Sequence, residues 1–568
     1  MIFKSVCLLI FFGFYFSGLY SQISVRDTLV EWSHFSYSLN ENHSISSFSD
    51  EEIEKVQFPG IVMENEYLRL TLIPDFGGRI ISCIYKPTGH EQLYQNPNGI
   101  PYAINEGTFY YRWLMVYGGI FATFPEPEHG KTWLLPWKSE IVKNNEDSLS
   151  ISMSIRDTIN YPSHDSRFNN GVTGLECTVT ISIFKGRSNF SFAVDLTNSS
   201  DQSVNYEYWT CNTLAPGSEP GNPFCDENSE IIIPADFVKL KDDWWSWMGQ
   251  SEIPYQKNDH IFHFNNLAWY KNWDNMGIAY VYPSMVKNYW GVLNHNNKEG
   301  ILRIADNSEA TPGMKLWTWG YEQGLLSDPY DFQNGGVGPY IELWGGHSSE
   351  FFNDATLKPE QSRNWEENYI ITAGMEDFSA ANENGAIYVE YSGNNADGEL
   401  EFLTKAFSTQ PGREYNIEIS LENEREVIPL EDDIFISNPQ EALDTRITMN
   451  PEYIPSGNYL LQATLSDMEG KVLVSSAEEI EIFRTGTGSE GFSKGLSFQL
   501  DNSNPGLLRV HTGKPGNFPI QVYSVDGRLV HNGKLNEGTN IIRLNQGFYL
   551  VRIGEGRDLQ VEKVFVIE

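Results

Sequence analysis

Glu342 lies in the run Pro339-Tyr340-Ile341-Glu342-Leu343-Trp344-Gly345-Gly346-His347. Side chains alternate between the faces of a strand. Tyr340, Glu342 and Trp344 therefore share one face, with Ile341 and Leu343 on the other. An acid between two aromatics makes a poor core surface and a good sugar-binding one. Rings stack on the apolar faces of sugars, and a carboxylate handles hydroxyl protons. The plainer reading is an exposed acid on an edge strand. His129, in Pro125-Glu126-Pro127-Glu128-His129-Gly130, is the best proton donor to pair with Glu342, because loops concentrate binding groups. A surface loop histidine beside acids is its alternative.

Trp317 and Trp319 alternate onto one face, and Trp244, Trp245 and Trp247 cluster after Asp242 and Asp243. Either set suits sugar stacking and either suits core packing. Glu126 and Glu128 add carboxylates that, with Glu342, admit the paired acids of a glycosidase. His347 is a second histidine near Glu342, on a side that the intervening glycines leave open. The chain carries no His-Glu-x-x-His, Cys-x-x-Cys, Gly-x-Ser-x-Gly, P-loop or dinucleotide fingerprint. No metal and no cofactor is expected.

Strands must position these residues. Leu68, Leu70 and Leu72 alternate with Arg69 and Thr71; Leu149, Ile151, Met153 and Ile155 alternate with serines. Val179, Ile181 and Ile183, then Phe190, Phe192, Val194 and Leu196, repeat the pattern. Period-two alternation predicts half-buried antiparallel strands. No long segment has a helical apolar period, so the chain reads as an all-β series of sandwiches.

The 568 residues allow three or four domains. Aromatics make up 14%, with 15 Trp and 29 Tyr, which suits carbohydrate recognition as well as large cores. A formal net charge of −37 excludes nucleic acid as an expected partner, since phosphate binding needs clustered Lys and Arg. It also argues against a highly anionic polysaccharide unless a local basic pocket intervenes.

Residues 1–21 read as a signal peptide: Lys4 is followed by an apolar run from Val6 to Phe16 and then small residues. That run is too short to span a bilayer, and no later run is long enough, so no transmembrane segment is expected in the mature chain. Cys83, Cys177, Cys211 and Cys225 remain after the signal. Export permits disulfides, and buried thiols fit equally. Three blocks follow: residues 22–375, which hold nearly all the Trp and His; residues 385–485, whose strand, Asp467-Met468-Glu469-Gly470 turn and strand suggest an immunoglobulin-like sandwich; and residues 497–568, beyond a polar linker over 486–496.

The last block carries Ile520-Gln521-Val522-Tyr523-Ser524-Val525-Asp526-Gly527-Arg528, then Gly547-Phe548-Tyr549-Leu550-Val551-Arg552-Ile553 and Val561-Glu562-Lys563-Val564-Phe565-Val566-Ile567. It resembles the C-terminal sorting domain of the type IX secretion system of Bacteroidetes-type bacteria. That resemblance implies the type IX machinery as a partner, and a secreted or outer-membrane cell-surface location.

The first block carries Pro74-Asp75-Phe76-Gly77-Gly78-Arg79-Ile80, Gly118-Gly119-Ile120-Phe121-Ala122-Thr123-Phe124-Pro125, Tyr208-Trp209-Thr210-Cys211-Asn212 and Lys315-Leu316-Trp317-Thr318-Trp319-Gly320, then Tyr340-Ile341-Glu342-Leu343. In this order they resemble an uncharacterised bacterial subfamily of the galactose-mutarotase-like β-sandwich proteins. The resemblance implies a carbohydrate substrate or ligand. It casts Glu342 as the base on the anomeric hydroxyl and His129 as the acid on the ring oxygen. It puts Arg79, Asn212, Trp317, Trp319, Tyr340, Trp344 and His347 in substrate binding, with Asn212 in the segment where aldose epimerases carry a second histidine. Epimerase-like chemistry, a non-catalytic glycan-binding surface protein, and a glycoside hydrolase or lyase all fit this scaffold.

Overall fold

The computed structural model describes residues 23–566, except 40–44, 97, 100–117, 127–128, 134, 160–170, 241–255, 259, 266, 274–276, 308–311, 327–336, 395–398, 451–452, 483–497, 502–506, 513–517, 525–527, 536–537 and 554–559. Residues 1–21, expected to be a signal peptide, the expected 486–496 linker, Glu128, Trp244, Trp245 and Trp247 lie outside the described residues. Strand accounts for 63% of the structure and helix for 2%, so the fold class is all-β. The chain divides into residues 1–483 and 484–568.

In the first unit a 14-stranded sheet faces an eight-stranded one. The middle of the larger sheet runs Gly277–Tyr282, Gly313–Thr318, Ile341–Gly346 and Trp209–Ser218, then His90–Leu93, Arg79–Tyr85 and Leu68–Ile73. The smaller sheet includes Tyr289–Asn294, Glu299–Ile304, Ser362–Ala373, Asn189–Thr197, Glu176–Phe184 and Ser148–Arg156.

The alternating residues read from the sequence form the layer between the sheets. Leu70, Ile151, Met153, Val179, Ile181, Phe192 and Leu196 are all fully buried there. Register keeps them together: Val179 lies opposite both Met153 and Val194, and Ile181 opposite Ile151 and Phe192. A slip of one residue would turn every one of these side chains to the other face.

A second sandwich follows within the same unit, built from two four-stranded sheets. Its hairpin joins Gly457–Asp467 to Val472–Ile482. Asp467 Oδ1 accepts the amides of Glu469 and Lys471, and Gly470 takes the φ of +82° that the turn requires. A backbone bond joins the two sandwiches, Ser188 N donating to Thr409 O at 2.8 Å, and Tyr289 Oη donates to Phe378 O in the connecting segment at 2.8 Å.

The C-terminal unit has its own three- and four-stranded sheets around Leu508, Val510, Ile520, Val522, Val551 and Ile553. Cys83, Cys177, Cys211 and Cys225 are buried free thiols, so no disulfide joins them.

Candidate functional site

Glu342 is on a central strand, not an edge. Ile341–Gly346 is paired on both sides, with Trp209–Ser218 and with Gly313–Thr318, and Glu342 is 5% exposed. The exposed edge-strand alternative is therefore ruled out. The strand begins at Ile341, so Tyr340 just precedes it.

Register builds two rows across the face that carries Glu342. One runs Phe121, Cys211, Trp344, Lys315, Tyr280, each the Cα partner of the next. The row beside it runs Thr213, Glu342, Trp317, Ile278. Trp344 donates its indole N–H to Glu342 Oε2 at 2.8 Å, fixing the carboxylate against the aromatic floor. Aromatic rings extend from there toward the surface. Tyr340 stacks on Tyr94 at 4.5 Å and meets Trp317 at 5.2 Å, and Trp317 meets the half-buried Trp319 at 5.7 Å.

His129 reaches the same floor from its loop. Its ring lies 4.6 Å from Trp133 and 5.4 Å from Trp344, so Trp344 contacts both proposed acid–base partners. The loop folds on itself. Gly130 has φ +66°, a Cβ there would sit 2.4 Å from Phe124 O, and Thr132 Oγ1 donates to Phe124 O at 3.0 Å. Lys131 pins it, buried between Glu126 and Asp157 at 3.1 Å each. Glu126 is thus held in an ion pair, which counts against its use as a second glycosidic acid.

Arg79 is fully buried and donates to three backbone carbonyls: Phe76 at 2.9 Å, Trp133 at 3.0 Å and Gly118 at 3.2 Å. Its guanidinium also lies 4.4 Å from the Phe121 ring centre. Arg79 joins the three segments around His129, which is a positioning role rather than the direct binding role expected from the sequence. Asn212 and His347 are not brought to Glu342. Asn212 pairs with Leu343 and so faces the inter-sheet layer. There it donates to Thr210 O and Leu343 O and accepts from Tyr369 Oη at 2.6 Å. His347 packs against Tyr206, Tyr208 and Trp365, with Nδ1 3.0 Å from Tyr206 Oη. Gly346, the residue before it, leaves room for the Trp209 ring, since a Cβ there would lie 2.1 Å from that ring.

Lys315 is the residue that sequence reasoning missed. It is 2% exposed, and its ammonium lies 3.7 Å from the Trp344 ring centre and 4.0 Å from that of Phe351. The signal was available: Lys315 is two residues from Trp317 on an alternating strand and must share its face. Trp133 and Phe351 come from loops and have no such signal.

The charges interact. Burial pushes the Cys211 thiol well up, Glu342 pushes it further, and Lys315 and Arg79 oppose. Burial first, then the charges of Lys315 and Arg79, hold the His129 imidazole well below its usual range, so it is neutral near pH 7. A neutral imidazole offers a hydrogen bond more readily than a proton. Among the described residues no group of three or more His, Cys, Asp or Glu is gathered as metal ligands.

Comparison with known proteins agrees with both ends of the sequence reading. A family described as a domain of unknown function (DUF5107) matches residues 39–211, and the secretion system C-terminal sorting domain matches residues 504–568. The sorting domain marks the protein for type IX export, to the outside or the cell surface. Among the described residues no helix is long and apolar enough to cross a membrane.

Solved structures similar to the chain include the following three. A TPR-domain containing protein from Parabacteroides distasonis is 19% identical, with a TM-score of 0.48 over 62% of this chain and 55% of its own. The chain thus spans about half the length of that relative. A galactose mutarotase-like protein from Clostridium acetobutylicum is 12% identical, with a TM-score of 0.37 over 62% and 98%. A galactose mutarotase related enzyme from Lactobacillus acidophilus is 10% identical, with a TM-score of 0.35 over 56% and 99%.

Proposed function

We propose that this exported protein acts on a sugar or oligosaccharide at the Glu342 face, by epimerase-like chemistry. The observation that carries the reading is the joint placement of Glu342 and His129 around Trp344, at the end of a graded aromatic surface. Glu342 takes the proton of the anomeric hydroxyl. The bond from the anomeric carbon to the ring oxygen breaks, and its electron pair goes to that oxygen, which takes a proton from His129. Rotation and reclosure return both protons and yield the other anomer. Half-buried Trp317 and Trp319 supply stacking where the sugar enters.

One feature favours a second reading, a glycan-binding protein without turnover: burial and the charges of Lys315 and Arg79 hold the His129 imidazole well below its usual range. Glu342→Gln separates the two, because the amide oxygen still accepts from Trp344 while the base is gone. Anomer exchange followed by NMR over a panel of sugars is expected to fall about 100-fold or more in the variant. Binding measured by calorimetry is expected to stay within about threefold, less than a single neutral hydrogen bond is worth. Wild-type binding without exchange establishes the second reading; equal exchange by both proteins overturns the role of Glu342.

A further inference from the structure

We propose that the cleft beside the segment leading into the second sandwich is a separate binding site for a neutral glycan, contacted by Glu230, Asp377 and Trp269. The cleft holds about 860 Å³, within the ~300–1,000 Å³ range of small-ligand sites. None of its lining residues belongs to the two rows on the Glu342 face. The assignment therefore goes beyond the function proposed above and does not depend on it.

Register brings two of these residues together. Glu230 and Trp269 are partners in an antiparallel bridge, beside which Ile231 N donates to Ala268 O at 2.7 Å, so the two side chains stand on one face. His295 Nε2 lies 2.7 Å from Glu230 Oε2, and its ring centre lies 4.8 Å from that of Trp269. An acid, an indole and an imidazole thus meet here, as they do around Trp344. Asp377 comes from the connecting segment, where its Oδ1 accepts the Phe378 amide at 2.7 Å. Burial, then the charge of Glu230, raises its carboxyl to about 6, so the two acids stand within electrostatic reach of each other.

The unused hydrogen-bonding groups select the ligand. Among the described residues Glu230 Oε1, Asp377 Oδ2 and the Trp269 indole N–H make no hydrogen bond. Two acceptors and a donor in one cleft suit a ligand whose groups both donate and accept, as hydroxyls do. The apolar part of the wall, from Ile231, Ile233 and the 77% exposed Val286, suits the C–H face of a ring. An anionic ligand is opposed by Glu230, Asp377 and Asp236. The place of a cation is filled from within the protein. The Lys271 ammonium lies 4.9 Å from the Trp269 ring centre, and Lys287 donates to Ser379 O at 2.7 Å and pairs with Glu478 at 3.1 Å. A neutral polyhydroxylated ring meets all of these conditions.

The test uses the full chain labelled with fluorotryptophan and followed by fluorine NMR, with Trp269→Phe and Trp344→Phe identifying the two reporting signals. Maltotetraose, cellotetraose, xylotetraose and N-acetylchitotetraose are the neutral probes; tetragalacturonate and the chitosan tetramer are the anionic and cationic ones. At least one neutral probe is expected to shift the Trp269 signal saturably. Glu230→Gln is expected to weaken that binding about tenfold, as loss of a hydrogen bond to a charged group does, and to leave the response of the Trp344 signal unchanged. Probes that shift the Trp344 signal alone overturn this site and leave the Glu342 site standing. A response at Trp269 alone supports this site and counts against the other. Silence of both signals overturns both readings. Tighter binding at Trp269 of a charged tetramer than of every neutral one overturns the neutral assignment. Unchanged affinity in Glu230→Gln and Asp377→Asn alike overturns the role of the two carboxylates. If Trp269→Phe does not fold, Glu230→Gln identifies the signal, because that side chain stands beside the indole.

Discussion

The Trp344 indole N–H meets Glu342 Oε2 at 2.8 Å from two positions further along the same strand. Two residues of one strand face thus make a preset pair, with the aromatic plane and the carboxylate held in one orientation before any ligand arrives. Lys315 and His129 approach the other parts of the same indole.

Trp344→Phe keeps an aromatic floor and removes the donor. A hydrogen bond to a charged acceptor contributes about 1.5–3 kcal/mol. Sugar affinity is expected to weaken about tenfold by calorimetry, with a smaller change in melting temperature. An unchanged affinity would show that the carboxylate is not positioned by this bond.

His129 has its imidazole depressed by burial and by Lys315 and Arg79, and His347 is depressed by burial and by Arg363. A depressed histidine contributes stability that is present above its unfolded value, near 6.5, and lost as pH falls toward the native value. Urea midpoints are expected to drop between pH 7 and pH 5, and less steeply in His129→Phe. The His129 ring resonances should remain those of the neutral form at pH 6.

Glu367 and Arg303 form a fully buried pair at 2.8 Å in the layer beneath Asn212. Burial pushes the Glu367 carboxyl up, but the charge and hydrogen bond of Arg303 outweigh it and hold the group below its usual value. Its stability contribution is present above the unfolded value, near 4.5, and is lost in acid. Breaking such a pair from one side costs about 3–5 kcal/mol. Glu367→Gln should therefore lower the urea midpoint sharply at pH 7, with the gap narrowing toward pH 3.

Asp377 lies in the segment that leads into the second sandwich, and burial raises its carboxyl to about 6, with the Glu230 charge adding. A raised carboxyl favours the native state only while protonated; that contribution is present at low pH and lost as pH rises through about 6. Asp377→Asn keeps an acceptor for the Phe378 amide, bonded at 2.7 Å in the native protein. It is expected to stabilise the protein by about 1–2 kcal/mol at pH 8 and by almost nothing at pH 4, read from melting curves at both values.

The sequence by itself determined the strands and their inward faces. Period two is a local property, and Leu70, Val179 and Phe192 declare it without knowledge of their partners. It also determined that Glu342 and Trp344 share a face, and it marked the export signal at the C-terminal end. Tertiary structure decided which strands become neighbours, and with that the site. Asn212 and Thr213 are adjacent in sequence, yet opposite faces of one strand send Asn212 into the inter-sheet layer and Thr213 toward Glu342. Lys315 was visible as a lysine two residues from a tryptophan, but its place beside Glu342 depends on Gly313–Thr318 pairing with Ile341–Gly346 in that register. His129 reached Trp344 through a loop whose path is set by Gly130, Lys131 and Arg79, long-range contacts that no local period encodes.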